Sequence, residues 1–64
     1  MTGKCIEFDI NKGYGTIVGE DNKNYFCHFS AIQSTAIHLE TGERVSFEPI
    51  IGKRGAEATI VKAI

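Results

Sequence analysis

Nothing in this chain repeats with the period of a helix for more than about one turn. Five strand-length apolar or alternating runs follow one another instead: KCIEF (4–8), YGTIVG (14–19), NYFCHF (24–29), RVSFEPII (44–51) and AEATIVKAI (56–64). Between them stand DINKG, GEDNKN, QST, ETGE and GKRG, rich in the Gly, Asn, Asp and Ser that turns use. The best helical candidate is SAIQ (30–33), where Ser30 is placed to cap a single 3₁₀ or α turn. Helix bundles and βαβ units do not fit this pattern. Five strands in 64 residues are expected to close into one barrel, which limits the exposed edges of an open sheet. Pro49 lacks an N–H and belongs at an edge or a bulge.

A chain this short hides only about 60% of the surface it exposes when unfolded, so its core is modest. Val45, Phe47, Ile17, Ile32 and Val61 are the expected core. The formal net charge is −1, so there is no strong overall positive field, and any attraction for nucleic acid has to come from a local patch. No run approaches the roughly 18 apolar residues that span a bilayer, and MTGKCIEF lacks the apolar centre of a signal peptide. A cytoplasmic location without membrane contact is expected. Cys5 and Cys27 are then read as reduced thiols. Together with His28 and His38 they lack the paired spacing of a structural zinc site, and adjacent strand residues such as Cys27 and His28 face opposite ways. No metal or cofactor is expected.

Strand alternation places Tyr14 with Thr16 on one face and Phe26 with His28 on another. Ile17, Tyr25 and Cys27 point the opposite way, into the core. A hairpin turn at GEDNKN would join Tyr14, Phe26 and His28 into one outer patch of rings. Rings facing water suit the stacking of unpaired bases, at about 1–3 kcal/mol per base. Gly13 and Gly15 flank Tyr14 and would leave room for an approaching base, with Lys12 beside them as a phosphate contact. Phe8 fits either face. GYGTIVG has the wrong glycine spacing for a dinucleotide fingerprint and no following helix.

KGYGTI resembles the first ribonucleoprotein motif and YFCHF the second, in the order and spacing of bacterial cold-shock proteins and cold-shock domains. The likeness continues through GKCIEFD, HFSAIQ, GERVSFE and GKRGAEA, so it spans nearly the whole chain. RNA-recognition-motif domains carry similar motifs, but in the reverse order and with two helices. The resemblance implies an all-β, five-stranded antiparallel Greek-key barrel of the oligonucleotide-binding type, as a single domain over residues 1–64. It implies contact roles for Lys4, Phe8, Lys12, Tyr14, Phe26, His28, Phe29 and Arg54.

Four positions depart from the family pattern. Glu7 stands where a tryptophan is common, and its carboxylate would repel phosphate rather than stack. Ile6 replaces a lysine, Thr16 the second aromatic of the first motif, and Ile37 a further aromatic of the long loop. Losing two or three stacking groups is expected to weaken binding, by about a hundredfold to ten-thousandfold, or to narrow the choice of bases. The expected activity is passive: a monomer that binds single-stranded RNA or DNA as an RNA chaperone or expression regulator, with no catalysis. The alternatives are a barrel turned to protein interaction, motivated by Glu7, Ile6 and Ile37, and a small metal or redox protein using both cysteines.

Overall fold

The computed structural model describes residues 1–33 and 38–64. Ile37, where the sequence places a lost aromatic, lies outside the described residues. The five expected strands are β1 (Thr2–Asp9), β2 (Tyr14–Gly19), β3 (Asn24–His28), β4 (Arg44–Gly52) and β5 (Gly55–Ala63). A 3₁₀ turn, Phe29–Ala31, follows β3. It begins one residue before the expected SAIQ turn, and its cap is His28 rather than Ser30, because the His28 side chain accepts the Ser30 N–H.

The strands close in the order β1-β2-β3-β5-β4. β4 returns beside β1, completing a Greek key. Each pairing is antiparallel except β3 with β5, where Phe26 meets Glu57 in parallel. One such exception is a topological necessity, since an odd number of strands cannot alternate direction all the way round a closed ring. Pro49 sits in the part of β4 beyond its β1 partners, where a missing N–H leaves no ladder bond unmade.

Two irregularities re-aim side chains. In β1 the register passes from Cys5↔Ile17 to Glu7↔Thr16, so Ile6 is an inserted residue and both Ile6 and Glu7 face outward. The β4–β5 ladder shifts between Ser46 and Glu48, opposite Lys62 and Thr59. There Ile60 takes φ 50°, a conformation strained for a β-branched residue. This bulge turns Ile60 outward and Val61 inward.

Ile17, Val45, Phe47 and Val61 are buried as expected, with Tyr25 and Cys27 beside them. Ile32 differs: it is half-buried and packs against the core from the 3₁₀ side, bridged to Val61. Cys5, Leu39 and Ala58 complete the interior. The Tyr25 hydroxyl escapes at the rim and donates to Asp21 Oδ2 at 2.6 Å. That bond lowers the Asp21 carboxyl below its ordinary range and raises the phenol.

Both cysteines are free and buried. Desolvation, with the neighbouring Cys5 adding to it, pushes the Cys27 thiol up to about 11. Burial is also the largest influence on Cys5 and raises it; its Sγ donates to the Glu7 carbonyl, a bond that needs the protonated thiol. Neither supplies much thiolate near neutral pH. An aromatic disulfide reagent at about pH 8 should therefore leave both thiols untouched in the native protein and titrate both in denaturant. One rapidly reacting thiol under native conditions would contradict this packing.

Candidate functional site

On the outer face of β2 and β3, Tyr14 lies opposite His28 and Thr16 opposite Phe26. The period of two thus delivers the expected patch. The rings of Tyr14 and Phe26 sit 5.2 Å apart, centroid to centroid, at 38°. Both are half-buried, with His28 and Phe29 more exposed. The rings of His28 and Phe29 form a second pair, 4.6 Å apart.

The β4–β5 hairpin folds over the first pair. Its turn carries Arg54, whose guanidinium carbon stands 4.7 Å from the Phe26 ring centre and 5.9 Å from that of Tyr14. A cation over a ring face is held by the ring quadrupole. The Arg54 N–H donates to Glu57 Oε2, which ties the hairpin at its base.

The His28 Nδ1 accepts the Ser30 backbone N–H and lies 2.9 Å from the Ser30 hydroxyl. A backbone N–H only donates, so the neutral ring carries its proton on Nε2, the nitrogen left to meet a ligand. The 3₁₀ turn therefore fixes both the ring and its tautomer.

Beside the Tyr14–Phe26 pair runs a groove of about 670 Å³, lined by Glu7, Phe8, Asp9, Lys12, Thr16 and neighbouring residues. Phe8 is half-buried at its floor: it lies opposite Gly15 and packs against the core while also facing the groove. Asp9 is committed to the turn, its Oδ1 accepting the N–H groups of Asn11 and Lys12.

Neither glycine beside Tyr14 clears space for a base. Gly15 points inward, where a Cβ would strike the Glu7 carbonyl and come within 2.6 Å of the Phe8 ring. Gly13 has φ +79° and would press a Cβ to 2.9 Å from the Phe29 ring. They admit the protein's own rings.

Seven of the eight sequence-predicted site residues gather here: Phe8, Lys12, Tyr14, Phe26, His28, Phe29 and Arg54. Lys4 stands apart, exposed at the far end of the same outer face, in a separate shallow groove with Ile6, Val18 and Arg44. Sequence reasoning missed the Arg44 beside Lys4 and the Asp9 in the main groove. The first depends on the β1–β4 register, which no local pattern encodes. The second was legible in DINKG as a turn residue, but not as a groove wall.

The sequence profile of the 'Cold-shock' DNA-binding domain family matches residues 1–64. Cold shock-like protein CspD of Bacillus cereus is 46% identical over 62 residues, 95% of this chain and 94% of the relative. Cold shock protein CspB of Bacillus caldolyticus is 45% identical, with 92% of this chain and 91% of the relative covered. Cold shock protein 1 of Lactiplantibacillus plantarum is 46% identical over 84% of this chain and 83% of its own.

Proposed function

Because the chain belongs to the cold-shock domain family, we propose that it binds single-stranded RNA or DNA by stacking bases on its outer rings, as an RNA chaperone or expression regulator. The observation that carries this reading is the cluster of outward-facing rings, half-buried Tyr14 and Phe26 and exposed His28 and Phe29, on the β2–β3 face and the 3₁₀ turn that follows it, with the Arg54 guanidinium over Phe26 and Lys12 in the adjoining groove. Bases splayed onto these rings cannot pair. Binding then shifts a nucleic-acid hairpin toward its open form by mass action, with no hydrolysis. The site lies within one chain, so a monomer suffices, and two free buried thiols suit a reducing cytoplasm. Protein interaction as the main role is not favoured by a family match that runs the whole chain.

Phosphate contacts fall to Lys4, Lys12 and Arg54, with Lys53 beside the last. Three or four such contacts give a slope of log affinity against log salt of about −2 to −3 for single strands. Calorimetric titration of short pyrimidine-rich and mixed strands at several salt concentrations should return that slope. Affinity should fall below that of a relative carrying aromatics at positions 7 and 16. Absence of binding, or affinity indifferent to salt, would overturn the proposal.

A further inference from the structure

Resting on that reading, we infer that Glu7 reads base edges in the groove and gives this protein a preference for guanine over uracil or thymine. The β-sheet register sets Glu7, Thr16, Phe26 and Glu57 in one row across neighbouring strands. Glu7 and Phe26 are two strand spacings apart, about 9–10 Å at the backbone. Only the short Thr16 side chain lies between them. A base that takes the place of the Arg54 guanidinium on the Phe26 ring can therefore extend its edge over Thr16 to the Glu7 carboxylate. A ring at position 16 would fill that path.

The carboxylate is available for this. The Ile6 bulge turns Glu7 out of the barrel and into the groove wall. Among the described residues its side chain has no hydrogen-bond or ion-pair partner. The two other carboxylates nearby each have one oxygen engaged: Asp9 Oδ1 accepts the N–H groups of its turn, and Glu57 Oε2 the Arg54 backbone N–H. Of the three, Glu7 alone keeps both oxygens free for a bidentate donor from outside.

The chemistry then ranks the bases. Guanine presents N1–H and the N2 amino group side by side, matching two carboxylate oxygens in a charge-assisted bidentate pair. Adenine and cytosine offer one amino group each. Uracil and thymine set a single N3–H between two carbonyl oxygens, which the carboxylate repels. The charge that opposes phosphate thus becomes an acceptor when a base edge faces it.

The test uses a short oligouridine, the same strand with one central guanosine, and that strand with inosine, which lacks the 2-amino group. The guanosine strand should bind about tenfold more tightly than the uridine strand, the lower end of discrimination by a good bidentate contact. Inosine should fall between them. Glu7→Gln keeps the side-chain shape, and should bring the guanosine-to-uridine ratio to within about twofold while leaving uridine-strand affinity unchanged or higher. A merely structural role for Glu7 would move both strands together. Equal or weaker guanosine binding by the native protein, or an unaltered ratio in Glu7→Gln, would overturn the inference while base stacking stood. Failure to bind any strand would instead overturn the nucleic-acid reading itself, and this inference with it.

Discussion

Replacing Phe26 and His28 together by alanine is expected to lower affinity for single strands by about 30-fold to 10,000-fold, two stacking platforms at 1–3 kcal/mol each. Hairpin-opening activity should disappear with it. The loss is anchored in geometry: Phe26 holds the Tyr14 ring at 5.2 Å and the Arg54 guanidinium at 4.7 Å, while His28 pairs with Phe29. Removing Phe26 thus unseats the arginine as well as the base. Neither side chain belongs to the buried core, so the circular-dichroism spectrum should stay that of the native barrel. Phe26→Leu separates the aromatic face from apolar bulk, since leucine keeps the bulk without a ring and should lose most of the stacking at that site. A folded double variant that still opens hairpins would refute the stacking mechanism.

The largest effect on stability is expected from Phe47→Ala. Phe47 is 2% exposed, and its ring lies 5.0 Å from that of Tyr25 at 57°. Gly3 leaves the space into which the ring fits, and the Met1 amino group donates to the Phe47 carbonyl at 2.9 Å. Truncation of a buried phenylalanine costs about 3–5 kcal/mol. A single core in a domain below about 70 residues rarely supplies more than about 3–5 kcal/mol in total. The variant should therefore be largely unfolded at room temperature, with its denaturant midpoint moved close to zero. Both buried cysteines would then react with thiol reagents without added denaturant. A cooperative transition at the native midpoint would show that Phe47 is not the centre of the core.

These two predictions differ in how far the sequence alone supports them. Phe26 and His28 share a face because strand side chains alternate, and β3 is a regular strand of five residues. Five runs and their turns are written locally in the same way. Phe47 follows from alternation with Val45 in RVSFE. β1 and β5 obey alternation only in part. Strict alternation from buried Cys5 would send Glu7 inward, and the Ile6 insertion reverses that. Ile60 shares its alternation face with buried Ala58, yet a bulge turns it out to 41% exposure.

The sequence by itself determined the all-β class, the strand positions and which rings of β2 and β3 look outward, since these follow from a two-residue period acting within single segments. Tertiary structure alone decided the rest. It set the parallel β3–β5 seam that closes an odd-numbered ring, Arg54 folded over Phe26, His28 fixed by Ser30, and the outward turn of Glu7. Each depends on register or bulging between segments that meet only when the barrel closes. Such choices are made by packing, where one inserted residue exchanges inside for outside.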